Sequence, residues 1–333
     1  MARIATFGSG SWGTAFSLVV ADAGHEVTMW ARRAELCEAI NTKRENTDYL
    51  PGIELPSSIR ATTDPYRAAS TAELVVLAVP SQTLRANLVE WSDAIEPEAV
   101  MLSLMKGVEL GTLKRMSEVI AEVTGASPDR IAVLSGPNLA KEIANREPAA
   151  SVVACADEAV AARIRDMIHG PAFRPYSTND VVGCELGGAY KNVIALAVGM
   201  AVGLGFGDNA TASVITRGLA ETARLAIKLG ADPMTLMGLA GLGDLVATCS
   251  SPLSRNRSFG EKLGQGMTVE EVTASTRQVA EGVKSCTSLL ALAEKNGISA
   301  PLLSAVNAVV AGELSARNLM GVLLSREVKD ERL

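Results

Sequence analysis

Aromatic side chains are scarce in this sequence and make up 4% of its 333 residues. So few rings are poorly suited to a surface that stacks nucleic-acid bases. The formal net charge is −6 and there is no long run of lysine and arginine, which disfavours a nucleic acid or an anionic membrane as partner. We therefore expect an ordinary globular protein with a small-molecule partner.

Cysteine and histidine are also few, at five and two residues. The cysteines are odd in number and form no C-x-x-C pair, which is typical of reduced thiols in a cytoplasm. No close group of cysteine, histidine and carboxylate residues suggests a metal site. His25 precedes a predicted strand and His169 ends a predicted helix, so we expect both to be surface or capping residues. The proton carrier of any catalytic site should therefore be sought among the lysines.

Apolar runs as long as a bilayer span are missing. The most apolar stretch, residues 193–204, contains glycine and follows Lys191 and Asn192, which predicts a buried helix. The first three residues run directly into an apolar strand-like segment, without room for a charged leader. We therefore expect no export signal and a cytoplasmic location.

The chain divides into two halves of different pattern. Its length exceeds the size at which a single hydrophobic core usually stops growing. Short apolar runs alternate with helix-like segments up to about residue 180, which predicts an α/β Rossmann-type domain with a mainly parallel sheet. Long segments of helical periodicity follow. We predict a dinucleotide-binding domain over residues 1–180 and a mostly α-helical, substrate-binding domain over residues 181–333.

Seven segments of the two halves are predicted to be helices. The turn residues 177–180 separate the halves and include a plausible helix cap. The expected helical ranges are 12–23, 33–41, 84–95, 113–123, 157–168, 185–204 and 209–229.

The motif GSGSWG follows the first predicted strand and opens the first predicted helix. In that context the pattern G-x-G-x-x-G is typical of a dinucleotide-binding loop. Gly8, Gly10 and Gly13 permit a tight turn, and the free amides of the helix start can meet a pyrophosphate. A glycine-rich turn without a ligand is the alternative.

Two arginines, Arg32 and Arg33, follow the second predicted strand. NAD-selective folds usually carry an acidic residue there, which binds the ribose hydroxyls. Two guanidinium groups would instead bind a 2′-phosphate, so the pair favours NADP(H), with NAD(H) as the second cofactor. A solvated basic pair at the start of a helix is the alternative.

Lys191 is the one cation in a long apolar segment, where an uncompensated charge would be costly. Burial would lower its pKa toward neutrality. A lysine with such a pKa can give a proton to the alkoxide formed when hydride reaches a carbonyl, and take it back in the reverse direction. Alternatively, the stem lies along the helix and the ammonium group reaches water.

Further candidates follow the fourth and fifth predicted strands. Lys106 and residues 135–138 stand where the carboxyl ends of parallel strands bind ligands, although each could be ordinary loop sequence. Residues 241–245 and 254–257 of the helical half combine tight turns, a carboxylate and paired arginines. Such donors suit a phosphate, with a solvated basic loop as the alternative.

With these residues in place, the sequence resembles the bacterial NAD(P)-dependent glycerol-3-phosphate dehydrogenases over essentially its whole length. Six segments occur in the order and spacing of that family: GSGSWGTA, NTDYLPGIELP, LMKGVE, LSGPNLAKE, GAYKNVIALA and GLGDLVATCSSPLSRNRSFG. The resemblance implies reversible reduction of dihydroxyacetone phosphate to sn-glycerol 3-phosphate for glycerophospholipid synthesis. It also implies a homodimer.

The resemblance further implies roles for single residues. Lys191 would be the proton acceptor in the oxidation direction, Lys106 would stabilise negative charge on oxygen, and Asn192 and Asp244 would orient the lysine and the substrate. The implied cofactor contacts are Gly8, Gly10, Ser11, Trp12, Gly13, Arg32, Arg33, Tyr49, Lys106, Ala140, Arg255, Val279 and Glu281. The implied substrate contacts are Lys106, Gly136, Asn138, Lys191, Asp244, Ser254, Arg255 and Asn256.

Asn138 departs from the family pattern, because many relatives carry a hydroxyl residue there. An asparagine can still donate and accept a hydrogen bond. Two other functions compete with the leading one: a β-hydroxyacid or 6-phosphogluconate-type dehydrogenase, and a dinucleotide-binding redox sensor without catalysis.

Overall fold

The first half of the chain forms a twisted, mainly parallel sheet. The structure is a computed structural model and describes residues 1–275 and 280–324. The strands are β1 (Arg3–Phe7), β2 (Glu26–Trp30), β3 (Glu45–Asn46), β4 (Leu50–Glu54), β5 (Ile59–Thr62), β6 (Leu74–Leu77), β7 (Val100–Ser103), β8 (Ile131–Ser135), β9 (Ala149–Cys155) and β10 (Phe173–Thr178).

Eight of these strands form the large sheet, in the order β10-β9-β8-β7-β6-β1-β2-β5, and β3 pairs with β4 in a small separate one. All neighbours in the large sheet are parallel except β8 and β9, which run antiparallel. Every residue of β6, β7 and β8 is buried, as expected for strands covered by helices on both faces.

Helices cover the sheet and build the second half. They are α1 (Ser11–Asp22), α2 (Ala34–Glu38), α3 (Pro65–Ala69), α4 (Leu84–Trp91), α5 (Met116–Thr124), α6 (Ala140–Ala144), α7 (Glu158–Ile168), α8 (Val181–Gly203), α9 (Asp208–Lys228), α10 (Pro233–Met237), α11 (Asp244–Ser250), α12 (Arg255–Gly264), α13 (Val269–Ala274), α14 (Glu281–Lys295), α15 (Pro301–Val310) and α16 (Ala316–Leu324). The predicted α/β Rossmann-type half and mostly helical half are confirmed.

Helix α8 is the core of the helical half. It is the one described helix long and apolar enough to cross a membrane, yet 83% of its most apolar window is buried within the protein. Glycines let α12 lie directly against it: a Cβ at Gly199 would stand 2.0 Å from the Arg257 carbonyl oxygen, and one at Gly260 would stand 2.1 Å from that of Leu196. This close backbone contact fixes α12 relative to α8.

Several predicted boundaries were wrong in detail. The helix expected over 113–123 begins only at Met116, because Leu113 has a φ of 60° within a preceding turn. Residues 177 and 178, expected as a turn, end strand β10. Helix α8 begins four residues earlier than expected, where the Asp180 side chain accepts a hydrogen bond from the Gly183 amide. The predicted division at residue 180 stays a prediction.

Candidate active site

The glycine loop lies where the chain order of the sheet reverses, between β1 and β6. Gly8 has a φ of 121°, and a Cβ there would stand 2.5 Å from the Ala78 carbonyl oxygen. A Cβ at Gly13 would stand 2.0 Å from the Gly8 carbonyl oxygen, whereas no described atom lies within 4 Å of a Cβ at Gly10. The loop is thus tightly packed against the protein at Gly8 and Gly13, and has open space at Gly10. The backbone amides at the start of α1 face this space and can bind a pyrophosphate.

A wall of polar contacts borders this loop. The Asn46 side-chain nitrogen donates to the Ser9 carbonyl and to the Thr14 hydroxyl, both at 2.8 Å. The Ser11 hydroxyl donates to the Tyr49 carbonyl at 2.8 Å. The buried Trp12 indole nitrogen has no hydrogen-bond partner among the described residues. That free donor and the open side of the loop both fit a bound dinucleotide.

The two arginines after β2 are not equivalent. Arg33 forms an ion pair with Asp48, and its guanidinium lies 5.9 Å from the centre of the Tyr49 ring. Arg32 is exposed at the end of the strand. Of the two guanidinium groups expected to bind a 2′-phosphate, that of Arg33 also has a carboxylate partner, and the binding role of both arginines stays a prediction.

Two lysines share one buried carboxylate at the carboxyl edge of the sheet. Lys191 Nζ donates to Asp244 Oδ1 at 2.7 Å and to the Thr248 hydroxyl at 2.7 Å. Lys106 Nζ donates to Asp244 Oδ2 and, at 3.1 Å, to the Gly136 carbonyl. The lysine side chains are 11% and 13% exposed, and that of Asp244 is 1% exposed. The alternative in which Lys191 reaches water is therefore wrong, and its charge is compensated by Asp244.

The fold brings these groups together from both halves of the chain. Lys106 follows β7, and its stem passes α8 at Gly188, where a Cβ would stand 3.2 Å from Lys106 Cγ. Asp244 and Thr248 are one turn apart on α11, so their side chains share a face. A side chain at position 188 would require the Lys106 stem and the Ser135 side chain to shift by a few tenths of an ångström.

Burial lowers the pKa of Lys106 to about 8. Asp244 opposes this fall, and the nearby Lys191 ammonium adds to it. An amine with this pKa is mostly protonated at neutral pH but loses its proton within the mildly alkaline range. Lys106 is therefore mostly positively charged at pH 7, and its pKa depends on the Asp244 carboxylate.

Polar side chains after β8 extend the site. The Lys106 contact places the Gly136 carbonyl beside the lysines. The Asn138 side-chain oxygen accepts a hydrogen bond from the Ser151 hydroxyl. The Asn138 side-chain nitrogen and the Ser135 hydroxyl are buried and have no partner among the described residues. Such groups are unfavourable unless a ligand or water satisfies them, so they indicate a ligand-binding position.

A second polar group joins three helices. The Asn256 side-chain nitrogen donates to the Asn192 side-chain oxygen at 2.9 Å, and its oxygen accepts from the Gly282 amide at 2.9 Å. Asn192 was expected to orient the lysine, but its oxygen is engaged by Asn256. Asp244 contacts both lysines and Thr248 contacts Lys191, and the orienting role expected of Asn192 stays a prediction.

The N-terminus of α12 lies beside this group. The Ser254 side chain caps the helix by accepting from the Arg257 amide at 3.2 Å, and Arg255 is exposed at the first helical position. The start of a ten-residue helix with an arginine in its first turn is suited to an anion.

The remaining sequence candidates have different outcomes. Glu281 begins α14 and accepts a hydrogen bond from the Ser81 hydroxyl at 2.7 Å, and burial raises the pKa of Glu281. Ala140 begins α6 after β8. Val279 lies outside the described residues. His25 is half-buried, and its Nδ1 accepts a hydrogen bond from the Ala2 amide at 3.0 Å.

Three contributors were missed from the sequence. Thr248 stands four residues after Asp244, a spacing that would have placed it on the same helical face. Asn46 lies directly before the segment TDY of a recognised motif. Ser151 carried no local signal, because its contact depends on the antiparallel pairing of β8 and β9.

The fold and site together define a class: a two-part dehydrogenase in which a nicotinamide-dinucleotide-binding sheet meets a helical half that contributes a lysine and a carboxylate. Family models place the chain within it. Residues 3–161 match the NAD-dependent glycerol-3-phosphate dehydrogenase N-terminus, and residues 180–321 match the C-terminus. The chain belongs to the NAD-dependent glycerol-3-phosphate dehydrogenase family.

Individual relatives agree with the family models. Glycerol-3-phosphate dehydrogenase [NAD(P)+] of Thermobifida fusca is 62% identical, covering 100% of this chain and 99% of the relative. The Streptomyces avermitilis protein of the same name is 61% identical, with 99% and 98% covered. The crystal structure of a glycerol-3-phosphate dehydrogenase from Coxiella burnetii is similar with a TM-score of 0.93 at 35% identity, covering 98% of this chain and 99% of that one.

Proposed function

We propose that this chain catalyses the reversible reduction of dihydroxyacetone phosphate to sn-glycerol 3-phosphate with a nicotinamide dinucleotide. The observation that carries the proposal is the Asp244 carboxylate held between Lys106 and Lys191 at the carboxyl edge of the sheet. A carbonyl that accepts a hydride needs a proton for its oxygen and a positive charge beside it, and the two ammonium groups supply these.

Lys191 acts as the general acid of the reduction. The reduced dinucleotide, when bound, supplies the hydride to the carbonyl carbon. Lys191 Nζ gives its proton to the carbonyl oxygen and takes one back in the oxidation direction. Asp244 and Thr248, both at 2.7 Å, hold this nitrogen in one orientation.

Lys106 acts as an electrostatic catalyst. Its ammonium group stabilises the carbonyl oxygen as negative charge develops there, and it does so only while protonated. Asp244 supports that charge because it opposes the burial that lowers the lysine's pKa. One buried carboxylate thus serves both lysines.

The start of α12 and the loop after β8 hold the phosphorylated substrate. Ser254, Arg255 and Asn256 offer hydroxyl, guanidinium and amide donors at a helix N-terminus, where an anion is favoured. Gly136 and Asn138 approach from the sheet side. This division leaves the reacting carbonyl beside the two lysine ammonium groups.

The glycine loop, with Ser11, Trp12 and Tyr49 beside it, binds the dinucleotide. We propose NADP(H) as the preferred cofactor, because Arg32 is exposed and Arg33 stands beside it. Substituting both arginines should reduce the preference for NADPH over NADH, as measured by initial rates. An unchanged preference would contradict this assignment.

The organisation around the site completes the proposal. The dinucleotide-binding domain covers residues 1–180 and the substrate-binding domain residues 181–333. The active protein is a cytoplasmic homodimer, and its product supplies glycerophospholipid synthesis.

A spectrophotometric assay tests the reaction directly. Oxidation of NADPH should depend on dihydroxyacetone phosphate, and Lys191→Ala should chiefly lower kcat while leaving KM similar. A folded protein that binds NADPH but does not turn over this substrate would overturn the proposal. Competition by a hydroxy acid with none by glycerol phosphate would favour the β-hydroxyacid dehydrogenase alternative instead.

A further inference from the structure

Asn138 is held in one orientation by a neighbour that the sequence did not single out. Its side-chain oxygen accepts a hydrogen bond from the Ser151 hydroxyl. Its side-chain nitrogen is buried and has no partner among the described residues. The amide therefore has one satisfied end and one free donor.

Ser151 is built into the sheet beside the site. It is the third residue of β9, it is fully buried, and β9 starts where the antiparallel β8 ends. A Cβ at Gly136, which has a φ of 143°, would stand 3.0 Å from Ser151 Cα and 3.1 Å from its hydroxyl oxygen. The Gly136 carbonyl in turn accepts from Lys106 Nζ. The Ser151 hydroxyl is thus fixed within the wall that also holds the lysine.

An asparagine presents two unlike ends, an acceptor oxygen and a donor nitrogen. An acceptor turned toward an anionic substrate would repel it, whereas a hydroxyl could rotate to donate by itself. An asparagine at this position therefore needs a neighbour that distinguishes its two ends. A buried hydroxyl that donates to the oxygen does this.

We propose that Ser151 is a substrate-positioning residue, which fixes the Asn138 amide so that its nitrogen donates to the phosphorylated substrate beside Lys106. This inference rests on the proposed function.

A double-mutant cycle tests it. Ser151→Ala, Asn138→Ala and the double variant are compared with the wild type for kcat and for KM of dihydroxyacetone phosphate at saturating NADPH. Loss of one oriented hydrogen bond should raise KM about three- to tenfold in Ser151→Ala and leave kcat similar. In the Asn138→Ala background the same substitution should change KM less than about twofold, because the amide it positions is gone.

Equal increases in both backgrounds would overturn the inference, since Ser151 would then act on the strand and not through Asn138. An unchanged KM in Ser151→Ala would overturn it too. Ser288→Ala is the matched control, because it removes another buried serine hydroxyl, one that donates to a backbone carbonyl within α14. It should leave KM unchanged.

Two further measurements keep the outcomes separate. The wild type is assayed first: absence of turnover there overturns the proposed function, whereas turnover with equal KM increases overturns only the role of Ser151. If Ser151→Ala fails to fold by circular dichroism, Ser151→Cys keeps nearly the same volume with a much weaker donor. The same difference between the two backgrounds is then expected.

Discussion

Asp244→Asn should separate the electrostatic role of the shared carboxylate from its shape. The substitution keeps the size of the side chain but removes its negative charge. With both lysines protonated, the three groups then change from a net charge of +1 to +2 in a place where the lysines are 11% and 13% exposed. Removing one partner of a buried ion pair typically costs about 3–5 kcal/mol.

Part of that cost can be relieved by proton loss. The pKa of Lys106 is about 8 in the wild type, so losing this proton at pH 7 costs about 1.4 kcal/mol. We therefore expect the variant to stay folded with Lys106 largely neutral. The charge that stabilises the developing oxyanion is then missing, and restoring it costs the difference between these two energies, about 1.6–3.6 kcal/mol. We therefore expect kcat/KM for reduction to fall between about tenfold and a few hundredfold at pH 7.

The pH profile shows the direction of the effect. Lys106 is active in reduction when protonated, so wild-type kcat/KM should decline as pH rises through about 8. Asp244 raises the pKa of Lys106, so its removal must move this decline to lower pH. Initial rates of NADPH oxidation from pH 6 to 9.5 would measure both profiles. Asp22→Asn, which disrupts an exposed ion pair with Arg146, serves as the control.

Two results would refute this reasoning. One is an Asp244→Asn variant whose kcat/KM stays within about threefold of the wild type. The other is a variant that loses activity while its alkaline decline stays near pH 8, because the carboxylate would then not support the charge of Lys106.

Three further predictions concern the cofactor side and the core. Asn46→Ala should weaken NADPH binding about tenfold or less, measured by fluorescence titration, because it removes the two hydrogen bonds that brace the glycine loop. Asp48→Asn should raise the ratio of kcat/KM with NADPH to kcat/KM with NADH, because it frees Arg33 from its ion pair. The increase should not exceed about fivefold, because this ion pair is exposed and therefore of modest strength. A lower ratio would contradict the prediction. Gly199→Ala should lower the free energy of unfolding in urea by about 1–3 kcal/mol or more, because its Cβ would meet backbone at 2.0 Å, while Gly170→Ala, with open space, should change it little.

The sequence by itself determined the architecture and identified most candidate residues of the site. Apolar runs such as that of β6 and the first four residues of β8 indicate burial on both faces, and the glycine spacing of residues 8–13 indicates a tight strand-to-helix turn. These are local requirements, so they are readable from neighbouring residues. Lys106 and Lys191 were both identified as candidates for this reason.

The tertiary structure alone decided how those members are paired. Asp244 bridges two lysines that are 138 and 53 residues away along the chain, and no local pattern states that one carboxylate serves both. Thr248 contacts Lys191 from α11, and Asn256 engages the Asn192 side chain because α12 comes close to α8. The pairs Arg33–Asp48 and Ser151–Asn138 also depend on contacts between separate elements of the fold. Hydrogen bonds and ion pairs act over a few ångströms of space, so only the packing of the elements settles which charges meet.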